Sequence, residues 1–463
     1  MKKLLAILLT LTMVLSLAAC GGTSEEPVNN NVDNEPAATT MKADEAEATT
    51  AAPAGEMKKW EGETLVIHSF TNELEHAAAY FEETYGATVE YTIIPTADYP
   101  QTVLPTLETG VGAPDVYVAE AAFIKDFVNN GFWENLSQAP YNAQDLEGQV
   151  TPYVLDTGKD WDGNIRALSW QMTPGGLFYR RSVALEVFGT DDPDEIGAKL
   201  ASKELLFDTA RELKTAGYRL FPDEGAMRHF TNPNQDAWVD ENNNLIFGEE
   251  KIAHFDYTKT LRDEELTALA GEWSPAWFAG MYGPVQVGES GEETTVFAYA
   301  LPTWGLHYVL KTSTPEEGGG ENPTAGDWAV TSGPNPYYWG GTWVGLYSGS
   351  TQKEMAWDFV QLLGTPNDYL ADWLAESGDV SGIYDMQIKE ASEPFLGGQN
   401  HQLYFQAAGA DINGKMFSKY DQNLNELYNN AVNDYLNGVS TKEEAIQAFK
   451  DNTKAAFPEI NVE

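Results

Sequence analysis

The sequence predicts an α/β protein with parallel sheet covered by helices. Apolar β-rich runs alternate with helical periods from residue 64 onward. Glycine or proline closes most of these segments. The 463 residues are 42% hydrophobic and 12% aromatic, enough apolar surface to offset the chain entropy of more than one folded body.

Thr64–His68 is a short apolar run that suits a buried strand. Asn72–Tyr85 follows with Leu74, Ala77, Ala78 and Phe81 on one helical face, and Gly86 is placed as its stop. Thr88–Ile94 reads as a second strand ended by Pro95, and Asp115–Val118 as a third. A helix through Ala121, Phe123, Ile124, Phe127 and Val128 is expected to stop at Gly131. This alternation of strands with helices is the basis for the parallel sheet.

Asp162-Gly163, between Trp161 and the run Ile165–Trp170, is a hairpin signal. Glu204–Ala216 is helical by its Leu205, Leu206, Thr209, Ala210 and Leu213 face, with Gly217 as stop. A further strand is expected around Trp328–Val330. Thr351 with Glu354, and Ser440 with Glu443, read as capping boxes opening two more helices.

The N-terminus is built differently. Met1-Lys2-Lys3, an apolar run from Leu4, and Leu17-Ala18-Ala19-Cys20 have the form of a secretory signal. Leu-Ala-Ala-Cys resembles a bacterial lipobox, which makes Cys20 the expected lipidated N-terminus after removal of residues 1–19. Residues 20–59 lack aromatics and any apolar period, and read as a disordered tether. Cys20 is the sole cysteine, so no intrachain disulfide or cysteine metal cluster forms.

The net charge is −44, from 27 Lys+Arg against 71 Asp+Glu. Signal and tether carry eight acidic and five basic residues, leaving the body with 63 and 22, a net of −41. That balance argues against nucleic acid as a partner and against attraction to anionic lipid heads.

Motifs for chemistry mostly fail. Gly110-Val111-Gly112 begins like a dinucleotide loop, but a strand rather than a helix follows, and the third glycine is missing. Ser350-Thr351-Gln352-Lys353 has Ser-x-x-Lys spacing without its companion motifs. Asp240, Asn242 and Asn244 start like a calcium loop, but Leu245 stands where glycine is needed and Lys251 where glutamate is needed. A polar turn is the better reading. The six histidines show no paired spacing. No catalytic residue, metal site or cofactor is assigned.

Aromatics beside Gly and Pro form three clusters: Trp273–Phe278, Pro302–Gly305 and Tyr337–Trp343. Indole and phenol rings stack on the C–H faces of sugars, while Asn, Asp, Glu and Gln hydrogen-bond the hydroxyls. Crevices at strand C-termini are where open α/β sheets bind ligands.

Five stretches in order, behind the lipobox, carry a resemblance. They are Leu65–Phe70, Gly112–Tyr117, Asp162–Leu168 running to Leu177–Arg180, Asp327–Val330 followed by Gly340-Gly341 and Lys353–Leu363, and Ala431–Gly438. The chain resembles extracellular solute-binding proteins of family 1, the maltose-binding-like lipoprotein components of bacterial ABC sugar importers. The resemblance covers about residues 65–449.

It implies a two-lobed type II periplasmic-binding-protein fold, each lobe a mainly parallel sheet flanked by helices, with the ligand between. It places the N-lobe at residues 60–171 and 334–375 and the C-lobe at 172–333 and 376–463. Crossings are expected near Ser169–Thr173, Val330–Pro334 and Ala375–Gly382. Ligand contacts carried over by position are Ser69 to Glu73, with Ser69, Asn72 and Glu73 foremost; Glu120; Trp170 and Gln171; Trp304; and Trp339, Gly340, Gly341 and Trp343. Trp277 is added from the aromatic clusters. Phe178-Tyr179-Arg180-Arg181 and Pro302-Thr303-Trp304 depart from the family's Tyr-Tyr-Asn-Lys and Gly-Pro-Trp.

The implied function is capture of a carbohydrate, an oligosaccharide, and its delivery to ABC permease subunits by a monomer lipid-anchored outside the cytoplasmic membrane. It would not be an enzyme. The alternatives are a binding protein for another solute such as a polyamine, which the carboxylates and aromatics would also serve, and a secreted carbohydrate hydrolase, which needs two carboxylates about 5–9.5 Å apart across the cleft.

Overall fold

A computed structural model describes residues 58–231, 237–240, 242–315, 320–412, 414 and 418–463. The signal, Cys20 and the tether through residue 57 lie outside the described residues. Lys58 and Lys59, read as the end of the tether, belong to the folded body. Lys59 pairs with Asp358 at 2.6 Å, and the neighbouring Trp60 indole donates to the same carboxylate.

The strands are β1 (Thr64–Ser69), β2 (Thr88–Ile93), β3 (Val116–Glu120) and β4 (Gly175–Arg180). Then come β5 (Val285–Gln286), β6 (Glu293–Thr294), β7 (Ala298–Pro302), β8 (Trp328–Thr331) and β9 (Thr342–Leu346).

The first sheet has the order β2-β1-β3-β9. Its β1–β2 and β1–β3 pairs are parallel, and β9 joins antiparallel. The helix Glu75–Tyr85 buries Ala77, Ala78 and Phe81, and Gly86 ends it in the left-handed conformation. Phe81 meets Phe359 of the helix Lys353–Gly364 edge-on at 5.5 Å. The helix after β3 is a short one, Ile124–Val128.

The second sheet has the order β7-β4-β8, with both pairs antiparallel. This corrects the expectation of a mainly parallel sheet in each lobe. β7 runs directly into Thr303 and Trp304. Its core joins Leu177 and Tyr179 of β4 to Ile196, Leu206, Ala210 and Leu213 of the covering helices. A further apolar cluster gathers Phe255, Tyr428 and Phe449 from the helices Glu249–Asp263, Asp421–Leu436 and Lys442–Ala456, with Trp238 from a non-helical segment.

Three segments carry the chain between the sheets. Leu168 bridges to Val344 of β9, and Gly175 already belongs to β4. The chain returns between Thr331 of β8 and Thr342 of β9. It passes again after the helix Asp368–Ser377, where Gln171 bridges to Ser381 and Val150 to Ile383.

Local signals differ by a residue in places. The C-terminal capping box forms at Thr441 and Glu444, one position beyond Ser440 and Glu443. Thr351 does not cap its helix; Gln352 occupies that position without a side-chain bond, and Ser350 Oγ accepts the Gln352 amide. Asp162-Gly163 makes a tight turn with a single Lys159–Ile165 bridge rather than a ladder. Asp240 accepts from the amides of Asn242 and Asn244 and from Asn244 Nδ2, a polar turn.

Candidate functional site

β1 and β3 are parallel, so their C-terminal ends meet at one edge of the first sheet, and β9 starts there because it runs the other way. β1 ends at Ser69 and leads through Phe70–Glu73. β3 ends at Glu120. Gly340-Gly341 leads into β9, and the Ala121 amide donates to Gly341 O at 3.1 Å. Both glycines have positive φ, 73° and 113°. A Cβ on Gly340 would lie 3.1 Å from the Trp304 indole nitrogen and 3.5 Å from Glu120 Oε1. Two glycines there let the turn approach both walls.

The second sheet contributes through the end of β7. Thr303 Oγ1 donates to Met172 O at 3.1 Å, and the Trp304 indole donates to Trp339 O at 2.9 Å. Thr173 Oγ1 donates to Gly340 O at 2.8 Å. These bonds tie the first passage between the sheets to both walls.

Between them is a cavity of ≈ 270 Å³ lined by Phe70, Thr71, Asn72, Glu73, Glu120, Gln171, Trp304, Tyr308, Trp339, Gly340, Gly341 and Thr342. Four aromatic side chains face it. Trp339 meets Trp304 edge-on at 5.3 Å and Trp273 at 5.8 Å. Trp273 and Trp304 are parallel within 7°, with centroids 6.5 Å apart. Trp273 is 47% exposed and holds φ 62°, an uncommon conformation for a bulky residue.

The carboxyls at and near the cavity lie in low-dielectric surroundings. Burial pushes the Glu120 carboxyl up to about 7, opposed by the Ala122 amide that it accepts at 2.7 Å. Burial, with the Asp379 charge added, lifts Glu73 well above the carboxylate range. Burial likewise raises Asp379 to about 6, against the hydrogen bonds of Trp170 and Ser377. Gln171 is 4% exposed, and its Oε1 takes no hydrogen bond among the described residues.

On the far side of Trp339 and Gly340 is a second cavity of ≈ 380 Å³ that shares Glu120 with the first. It adds Arg228, His229, Asp421, Asn425 and Asn429. The Arg228 guanidinium stands 5.1 Å from the Trp339 ring and pairs with Glu272 at 2.8 Å.

Eight of the sequence-predicted contacts share the first cavity: Asn72, Glu73, Glu120, Gln171, Trp304, Trp339, Gly340 and Gly341. Four do not. Ser69 is fully buried, and its Oγ accepts the Thr71 amide. Trp170 is buried with its indole on Asp379 at 3.1 Å. Trp277 packs edge-on against Tyr299 at 5.6 Å, 3% exposed. Trp343 is 1% exposed and donates to Val154 O at 2.8 Å. These indoles are core rather than cavity wall.

Sequence reasoning missed Tyr308, Asp379 and Trp273. Tyr308 lies four residues past Trp304, a spacing that puts both on one helical face. Asp379 lies inside the expected third crossing. Trp273 stood in an aromatic cluster but was passed over for Trp277.

Residues 76–394 match the family model described as bacterial extracellular solute-binding protein. The chain belongs to that family. Members of that family are extracellular proteins that bind solutes. Comparison with curated proteins finds no match.

Similar solved structures include an extracellular solute-binding protein of family 1, 16% identical at a TM-score of 0.71, covering 86% of this chain and all of that one. Another is the ABC transporter associated binding protein from B. animalis subsp. lactis in complex with β-1,6-galactobiose. It is 19% identical at a TM-score of 0.63, covering 86% of this chain and 98% of that one. The galacto-N-biose/lacto-N-biose I-binding protein from Bifidobacterium longum is 15% identical at 0.65, with 86% and 98% covered. They share the two-lobed α/β fold.

Among the described residues no group of three or more His, Cys, Asp or Glu is placed to hold a metal, and no helix is long and apolar enough to cross a membrane.

Proposed function

We propose that this solute-binding protein captures an oligosaccharide in the cavity between β1, β3, β9 and Trp304, and delivers it to the permease subunits of an ABC importer. One observation carries the reading. Phe70, Trp304, Tyr308 and Trp339 supply flat apolar area, while Asn72, Glu73, Glu120 and Gln171 supply hydrogen-bonding groups around the same cavity. Sugars need that combination, since their ring faces are apolar and their edges are hydroxyls. Relatives of the same fold, in complex with β-1,6-galactobiose or lacto-N-biose, support a carbohydrate ligand.

The lobes of this reading are residues 60–171 with 334–375, and 172–333 with 376–463. Trp304 and Tyr308 belong to the second lobe, and Glu73, Glu120 and Trp339 to the first. A ligand touching both gains more contacts in the closed state and so shifts the population toward closure. Lipidation at Cys20 holds the body outside the membrane.

A thermal-shift screen against a panel of di- and trisaccharides tests the proposal. A ligand at 100 times its Kd adds about 2.7 kcal/mol of stability, a shift that stands clear of the others. A panel in which no carbohydrate raises the melting temperature overturns it.

A further inference from the structure

We infer that the ligand carries a protonated amine, received where Glu73 and Gln171 face the aromatic rings of Trp304, Tyr308 and Phe70. The inference rests on the binding site proposed above and names the chemistry of the group that enters it.

The first observation is an imbalance of charge: carboxyls line the cavity and, among the described residues, no cation faces them. Glu73 and Glu120 line the cavity, and the Asp379 charge adds to the burial that raises Glu73. Among the described residues no Lys, Arg or His lines this cavity. The nearest cation in the adjoining cavity, Arg228, is already paired with Glu272. The indole N–H of Trp304 is spent on Trp339 O, and that of Trp170 on Asp379.

The second observation is independent of the carboxyls. Gln171 is 4% exposed, lines the cavity, and leaves Oε1 without a partner among the described residues. A buried acceptor without a donor is costly unless a ligand supplies one.

A hydroxyl gives one donor and no charge. An ammonium gives three donors and the charge that a pair of neighbouring carboxyls lacks. The aromatic faces add to this, because a cation above Trp or Tyr is attracted by the ring quadrupole. Burial raises both Glu73 and Asp379, so without a cation the two resist ionising together. A bound amine reverses that.

Matched probes test the inference by calorimetry at pH 7. The β-1,4-linked glucosamine trisaccharide is set against cellotriose, which bears a hydroxyl at the same carbon. Galactosamine is set against galactose, and spermidine stands as an amine without a sugar. At least one amine-bearing sugar is expected to bind tenfold or more tightly than its hydroxyl match. Glu73→Gln should reduce that ratio to near one, and Gln171→Leu should weaken the amine-bearing probe by at least tenfold. Should either variant fail to fold, the wild-type ratio at pH 7 and at pH 9.5 gives the same answer, since a sugar amine loses its charge over that range while its hydroxyl match is unchanged.

Neutral sugars binding as tightly as their amine partners would overturn the inference and leave the carbohydrate reading intact. Binding of spermidine alone would uphold the amine and overturn the carbohydrate. A panel in which nothing binds counts against both.

Discussion

Trp304 and Trp343 look alike in the sequence, each an indole within two residues of a glycine in an aromatic cluster, yet the structure gives them opposite roles. Trp304 is half-buried, lines the cavity, and holds Trp339 by one hydrogen bond of 2.9 Å and an edge contact at 5.3 Å. Removing it with Trp304→Ala forfeits about 1 kcal/mol for the bond and about 1 kcal/mol for the ring pair, near 2 kcal/mol of apo stability in all. Its loss from the ligand wall should weaken binding by roughly 2–4 kcal/mol, some 30- to 1000-fold in Kd. Trp343 is 1% exposed, and its indole satisfies the buried Val154 carbonyl. Trp343→Ala should cost roughly 3–5 kcal/mol for the cavity and a further 1–3 kcal/mol for the orphaned acceptor. An unfolding entropy of about 2.1 cal/mol/K per residue over about 400 residues gives about 0.85 kcal/mol per kelvin. The apo melting temperature should then fall by roughly 2–3 °C for Trp304→Ala and roughly 5–9 °C for Trp343→Ala. Scanning calorimetry without ligand and titration calorimetry with the best carbohydrate separate the two. A Trp304→Ala protein that keeps full affinity, or a Trp343→Ala protein that keeps its melting point and loses affinity, would refute the assignment.

Further expectations follow from the anchor, the lobes and the buried carboxyls. Cys20→Ser should release the protein into the medium or leave it unprocessed, with labelled fatty acid marking only the wild type; equal membrane retention without the thiol would contradict this. Ligand contacts to both lobes should draw them together, so the radius of gyration in solution scattering should fall on binding; tight binding without compaction would point to a rigid site. Glu120 is raised from 4.5 to about 7 and Asp379 from 3.8 to about 6, so the folded state holds protons that the unfolded chain has released. Stability contributed by these groups therefore declines as pH rises from about 4 to about 7, the reverse of an ion-paired carboxylate. Glu120→Gln mimics the protonated form, so it should match wild type at pH 4 and exceed it at pH 8 by at most about 3 kcal/mol. An unchanged difference across that range in denaturant unfolding would contradict the buried-carboxyl account.

The sequence carried the first sheet well, because β1 and β3 are apolar runs bounded by turn residues and the helix between β1 and β2 has a clean apolar face. It missed the helix Tyr99–Thr109, whose Pro100 and Pro105 read as breaks; Pro100 stands in the first turn, where its lacking N–H costs nothing, while Pro105 is inside. The antiparallel second sheet was hidden because pairing partners lie far apart: Phe178 of β4 meets both Tyr299 and Val330. At the cavity, motif positions found the polar residues and Trp304 and Trp339. They did not separate wall from core among the indoles, since Trp277, Trp170 and Trp343 differ from Trp304 only in which way each side chain points. Tyr308 and Asp379 depend on the passage of the chain between the sheets, and no local pattern marks them.

The central claim is that a carbohydrate is held against Trp304 and Trp339 in the cavity they line, with its polar edge toward Glu73, Glu120 and Gln171. A crystal structure of the protein with the tightest-binding sugar of the panel tests it most directly. The account predicts sugar ring carbons in van der Waals contact with the Trp304 or Trp339 indole and a donor within hydrogen-bond distance of Gln171 Oε1. A sugar lodged elsewhere, with Gln171 Oε1 still unpartnered, would contradict it.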